Sequence, residues 1–173
     1  HKAANFTRST DCEPEGNAVN NPFWDYSLAH YRKAQVADAC LTLQDDCGLD
    51  VNVLLYGAWL ASMGQRLQVA HLDALEREIV EWRERVVLPL RSLRREWRSY
   101  APSAALREEL KALELQAERE QQDLMWAFYG AAPALPVDNG DPGENLRLIA
   151  AVGAAGQVNW EEPIVRLASL LAE

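Results

Sequence analysis

Apolar residues along this chain recur every three or four positions, and no stretch carries the alternation of a half-buried strand, so the pattern predicts helices throughout. Asn21-Pro22 supplies an N-cap with proline at the first helical position, opening a helix over 23–33 in which Phe23, Trp24, Leu28 and Tyr31 are available for burial. A second helix is predicted over 36–47. Gly48 fits the left-handed residue that ends it, and Asp50 caps a third helix over 51–64. Val53, Leu54, Leu55, Tyr56, Trp59, Leu60 and Met63 point to nearly every side of that third helix. A helix apolar all round is a buried one, so this is the predicted core element.

From Leu72 the pattern turns heptad-like, through Leu75, Ile79, Trp82, Val86, Leu90, Leu93 and Trp97, with one apolar face and one charged. Pro89 lacks a backbone donor and predicts a kink near Val86, and Tyr100-Ala101-Pro102-Ser103 ends the run. A second long helix is predicted over 104–129, with Leu106, Leu110, Leu113, Ala117, Leu124 and Phe128 as its stripe. Two long helices joined by a short connection predict an antiparallel hairpin. Residues 130–140 read as a loop. Asp141-Pro142-Gly143-Glu144 then reads as a capping signature in which Glu144 reaches back to the cap's amide, opening a helix to about 152, and a last helix spans 160–171. The expectation is an all-α fold: a single-domain bundle of about six or seven helices over residues 22–173, preceded by a flexible segment, 1–21.

Composition supports such a bundle. Of 173 residues, 49% are apolar and 25% charged, as in ordinary globular domains, and a chain of this length buries an adequate core without a disulfide or metal. The cysteines Cys12, Cys40 and Cys47 form no C-x-x-C and no zinc-ligand spacing, which suits a reduced, cytoplasmic chain with no metal or other cofactor. The longest apolar run, 51–63, is interrupted by Asn52 and Gly57 and is too short to span a membrane. Residues 1–21 lack the apolar core of a signal peptide and start without methionine, as a processed or tagged chain would. A formal charge of −9 argues against a general nucleic-acid binder.

Two constellations carry candidate chemistry. The first is an acidic turn, residues 45–52, in which Gln44, Asp45, Asp46, Asp50 and Asn52 place hard oxygen ligands at the end of a helix, where the helix dipole disfavours them. The plainer reading, which weighs more, has Asp50 capping a helix, Asp45 and Asp46 solvated and Asn52 facing a neighbour. The second is an excess of arginine on the hairpin: Arg85, Arg91, Arg94, Arg95 and Arg98, interleaved with Trp97 and Tyr100. Guanidinium groups beside aromatics suit phosphates or an acidic partner. Against that stand Glu108, Glu109, Glu114, Glu118 and Glu120 on the following helix, which could pair with them across the hairpin. The histidines His1, His30 and His71 belong to no catalytic pattern, and no catalytic residue is assigned.

The block Phe23-Trp24-Asp25-Tyr26, then Cys40-Leu41-x-Leu43-Gln44-Asp45, Gly48-Leu49-Asp50-Val51-Asn52-x-Leu54-Leu55 and Trp59-Leu60 resembles a family of short proteobacterial proteins of unknown function. The resemblance covers roughly the first third of the folded chain tightly and the rest by length and general pattern. It implies an all-α bacterial protein and assigns no catalytic residue.

Two functions remain open on these grounds. The favoured one is a non-enzymatic interaction module or adaptor with a protein partner, bound through Arg91, Arg94, Arg95, Trp97 and Arg98; nucleic acid is expected only through that segment. The alternative is an enzyme or small-ligand-binding protein with a pocket between the aromatic first helix and the acidic turn, lined by Trp24, Tyr26, Gln44, Asp46, Asp50, Asn52, Tyr56 and Trp59. A pocket with Asp46, Asp50 and Asn52 turned inward would favour the second.

Overall fold

A computed structural model describes residues 20–100, 103–156 and 158–173. The expected flexible segment lies, up to residue 19, outside the described residues. The protein is all-α. Helix α1 (Pro22–Tyr31) opens as the sequence predicts, with Asn21 Oδ1 accepting from the Trp24 amide at 3.1 Å. Asn21 is itself buried, and its side-chain amide donates to the Gln122 carbonyl and to Asp123, fixing the helix entry. Helix α2 (Ala34–Cys47) ends at Gly48, whose φ of 67° lets the amides of Gly48 and Leu49 both reach the Leu43 carbonyl. Asp50 Oδ1 then accepts from the Asn52 amide at 2.8 Å and starts α3 (Val51–Ser62).

Every residue of α3 from Val51 to Ala61 is buried, because α1, α2, α6 and α7 surround it. Its closest neighbour is α7 (Pro142–Gly153). A Cβ on Gly57 would stand 2.5 Å from Ile149 Cδ1, so glycine lets these two helices approach. Asn145 ties the same junction: its amide donates to the carbonyls of Gly57 and Gln65, and its oxygen accepts from the Leu67 amide at 2.8 Å. Asp141 caps α7 through the Gly143 amide, as the signature predicts. Glu144, however, accepts from Arg66 at 2.6 Å, a stronger charge-assisted partner than the cap amide expected for it. Helix α8 (Glu161–Leu171) closes the bundle against α2 and α7.

The long hairpin is present with an altered register. Helix α4 (Val69–Trp82) runs without a break through a π-helical segment, Arg83–Val87, into α5 (Leu88–Glu96), and the whole run packs against α6 (Ala104–Ala131). The irregularity that Pro89 predicts near Val86 takes this form. Proline offers no amide to the carbonyl four residues back, and a wider turn absorbs the defect. One extra residue in a turn rotates everything downstream by roughly 100°. Leu72, Leu75 and Ile79 are buried as expected, but Val87, at the end of the π segment, and Arg91 beyond it face inward, while Leu93 is 37% exposed. On α6 the inner face carries Leu110, Glu114, Ala117, Gln121, Gln122 and Met125. Leu106, Leu113 and Leu124, expected on the apolar stripe, are exposed instead.

Candidate functional site

The acidic turn divides. Asp45 is exposed and paired with Arg95, and Asp46 is exposed. Asp50 faces inward: beyond its cap, its Oδ2 accepts from Gln121 Nε2 at 2.8 Å and lies 3.4 Å from Arg83, which is also bound to Glu76. Asn52 is buried, its Oδ1 accepting from Gln122 Nε2 at 2.8 Å. Asp45 and Asp50 thus face arginines in place of each other. Among the described residues no group of three or more His, Cys, Asp or Glu stands where it could hold a metal ion.

The pocket aromatics also separate. Tyr56 and Trp59 are core side chains: Phe23 packs on both, Trp59 meets Tyr129 at 4.9 Å between ring centres, and the Tyr56 hydroxyl shares a 2.8 Å hydrogen bond with His71 Nε2. Tyr26 stacks on His30; burial, aided by Cys40, pushes its hydroxyl up to about 12. Burial likewise raises the Cys40 thiol to about 12, so it packs as an inert core thiol. Trp24 has the Arg119 guanidinium 5.0 Å above its ring.

What α1 faces is the hairpin, and between them lies a cleft of about 330 Å³. Trp24, Leu28, Leu41, Val51, Leu55 and Leu115 give it apolar walls; Gln44 and Asn52 reach it from the acidic-turn side. The hairpin contributes a charge network. Arg91, on the face rotated inward by the π segment, bonds Glu118 at 2.8 Å and lies 3.5 Å from Glu114, and Arg94 also bonds Glu114. Burial pushes the Glu118 carboxyl up from its ordinary range, against the pull of its bond to Arg91, and the bond to Glu114 holds Arg94 more firmly protonated. Two lining residues, Ser27 and Gln122, each carry a solvent-shielded atom with no hydrogen-bond partner among the described residues, Ser27 Oγ and Gln122 Oε1. His30 Nδ1, Gln65 Oε1 and Gln121 Oε1 are buried and unmatched in the same way.

A family model, described as "Protein of unknown function (DUF2390)", matches residues 22–125. The chain belongs to this family. No curated protein and no solved structure matches it. The segment matched by the DUF2390 model runs from the first residue of α1 to Met125 in α6, and every side chain lining the cleft falls within it, from Trp24 to Gln122.

Two other clefts flank this one. A cleft of about 430 Å³ between α3, α4, α5 and α7 is lined by Asp50, Glu76, Arg83 and Arg95 and by apolar side chains including Ile149 and Val152. Gln44 and Arg91 border both clefts. At the hairpin's end, Arg94, Trp97, Arg98, Arg107 and Lys111 line a cleft of about 400 Å³. Arg94 is bound to Glu114 and Lys111 to Glu108, whereas Arg98 and Arg107 have no ion-pair partner among the described residues.

Of the residues that the sequence grouped as a pocket, Trp24, Gln44 and Asn52 line this cleft; Glu114 and Glu118, read from the sequence as pairing with the hairpin arginines, do pair with Arg91 and Arg94 there, and Ser27 and Gln122 were not singled out. A signal existed for Gln122. Glu114, Gln121 and Gln122 occupy the inward register between Leu110 and Met125, where polar residues need internal partners. For Ser27, a small polar residue on an aromatic helix, no sequence signal stood out.

Proposed function

We propose that this chain is a non-enzymatic binding protein that holds a small amphipathic molecule in the cleft between α1 and the hairpin. The observation that carries the reading is the cleft itself, about 330 Å³ between α1 and the hairpin, with apolar walls from Trp24, Leu28, Val51, Leu55 and Leu115 and the polar side chains of Gln44 and Asn52 at one side. Small-molecule sites have this composition: apolar walls, a few placed polar groups, and a volume of roughly 300–1,000 Å³, of which this cleft is a small example. Of the ionisable groups in the lining, Arg91, Arg94, Glu114 and Glu118 are bonded to one another and Lys111 to Glu108, which favours holding a molecule over moving protons. Ligand-observed NMR against small amphipathic fragments tests the proposal. Fragments should bind the wild type and lose contact in Leu28→Trp, whose larger side chain narrows the cleft that Leu28 lines. Equal binding by a folded Leu28→Trp protein, or none by the wild type, refutes it.

A second reading keeps the hairpin as a docking element, favoured by the cations at its end. Arg98 and Arg107 have no ion-pair partner among the described residues of a chain of formal charge −9, and Trp97 lies beside them, a combination suited to an acidic protein segment. Arg91, Arg94 and Arg95 have carboxylate partners of their own, so the discriminating variant is Arg98→Glu/Arg107→Glu. In affinity capture it should lose a partner that the wild type retains, and the wild type's retention should weaken as salt rises. Identical captures by the two proteins would end this reading.

A further inference from the structure

The cleft at the hairpin's end is charged unlike the other two, and the identity of its occupant rests on the docking reading, which gives Arg98 and Arg107 to an anion. We infer that the anion is a phosphate monoester carried on an aromatic or apolar body, held between the end of α5 and the start of α6. Six side chains line this cleft of about 400 Å³: Arg94, Trp97, Arg98, Arg107, Leu110 and Lys111. Four of them are cations and none is a carboxylate. Glu114 neutralises Arg94 and Glu108 neutralises Lys111, but neither glutamate is in the lining. Arg98 and Arg107 have no ion-pair partner among the described residues, so two positive charges on one cleft stand uncompensated, in a chain of formal charge −9. Arg107 adds a second bias. It lies in the opening turn of α6, where there is no acidic residue, so this cation sits at the positive end of the helix dipole and an anion beside it is favoured twice over.

A phosphate monoester carries about −1.5 to −2 charge at pH 7 on three terminal oxygens, so a single group matches both uncompensated cations. Guanidinium forks also suit its oxygens. One carboxylate or one sulfate ester brings a single charge and leaves half the surplus unanswered. A cleft of this volume is on the order of one Debye length across, about 10 Å at 0.1 M salt, so the cations lining it act on a bound anion through their charge without each having to touch it. The volume also lies in the range of small-molecule sites, roughly 300–1,000 Å³, and leaves room beyond a bare phosphate. Trp97 and Leu110, the latter 7% exposed, offer that remainder an indole and an apolar wall. A free ester and a phosphorylated protein segment share this chemistry.

The experiment is an NMR titration of the full chain with phenyl phosphate, inorganic phosphate, phenyl sulfate and two capped tripeptides, one with phosphotyrosine between alanines and one with phenylalanine between glutamates. At pH 7.5 the two phosphate esters should bind tightest, by about fivefold over phenyl sulfate, and should shift the Trp97 indole signal. Their affinity should fall by about the same factor at pH 5, where phosphate has regained its second proton, while that of phenyl sulfate holds. The lining has no histidine and no carboxylate, so this change belongs to the ligand. Arg98→Gln and Arg107→Gln should each weaken phenyl phosphate about fivefold and leave the urea midpoint unchanged, since neither side chain is in an ion pair. Tighter binding by the phosphotyrosine peptide than by phenyl phosphate bears out the inference with a protein source, and the reverse order bears it out with a free ester. If the glutamate peptide binds tightest, the inference falls and the docking reading stands. If no probe shifts the Trp97 signal, both fall. Inorganic phosphate or phenyl sulfate binding as tightly as phenyl phosphate also overturns the inference, as does unchanged affinity in both variants. Should the variants fold poorly, the pH dependence on the wild type decides.

Discussion

Replacing Arg91 with methionine tests the charge network that the rotated hairpin buries. The Arg91 side chain is 10% exposed, and its guanidinium faces Glu118 at 2.8 Å and Glu114 at 3.5 Å, whose side chains are 28% and 8% exposed. Methionine keeps most of the apolar stem and deletes the charge. Removing one member of a buried ion pair typically costs about 3–5 kcal/mol, because the remaining charge is stranded away from water. Glu114 keeps Arg94, so the stranded group is chiefly Glu118, and its partial exposure places the expected cost near the lower bound, about 3 kcal/mol. Against a total margin of roughly 5–15 kcal/mol this is large. In urea, with a slope of about 2 kcal/mol per molar, the midpoint should fall by about 1.5 M. Adding Glu118→Gln should restore much of the loss, since the stranded carboxylate disappears. The single variant should also regain stability as pH falls toward the ordinary glutamate range: a folded pKa raised above its unfolded value adds stability on the acid side, which is lost as pH rises through the folded value. A midpoint within about 0.3 M of wild type, or no rescue by Glu118→Gln, would refute the claim that this network sustains the hairpin.

Other consequences can be measured on the same protein. Trp59→Ala should cost about 3–5 kcal/mol by chemical denaturation, since the indole is 4% exposed and packs on Phe23, Tyr56, Trp126 and Tyr129; an unchanged midpoint would remove α3 from the core. Burial lowers the pKa of His71, so the unfolded chain takes up its proton first and stability should decline as pH falls below about 6.5. His71→Gln, which keeps a partner for the Tyr56 hydroxyl, should flatten that decline; a slope identical to wild type would assign it elsewhere.

The helices were legible because their ends are written locally. Asn21-Pro22, Gly48, Asp50 and Asp141-Pro142 each solve a local hydrogen-bonding problem, and the structure uses every one of them. The inner faces were legible only where apolar spacing and burial coincide. On α6 they do not: Glu114, Gln121 and Gln122 face inward while Leu106, Leu113 and Leu124 face outward. Those polar residues are tolerated inside because Arg94, Asp50 and Asn52 meet them from other helices, and a one-dimensional pattern cannot register partners that arrive from elsewhere. The π segment adds a second concealment, since its inserted residue turns Arg91 from a charge on an expected outer face into the centre of the network. Both effects act at the cleft. Asn21 and Gln122 are 101 positions apart, yet their hydrogen bond seats α1 beside α6. Only that junction makes Ser27 and Gln122 neighbours of one cavity, and it requires the face of α6 that a reading by apolar spacing assigns to solvent. The cleft was therefore expected between α1 and the acidic turn, where aromatic and acidic residues cluster in sequence. It lies between α1 and the hairpin because the polar residues of α6 spend their hydrogen bonds inward, Gln121 on Asp50 and Gln122 on Asn52.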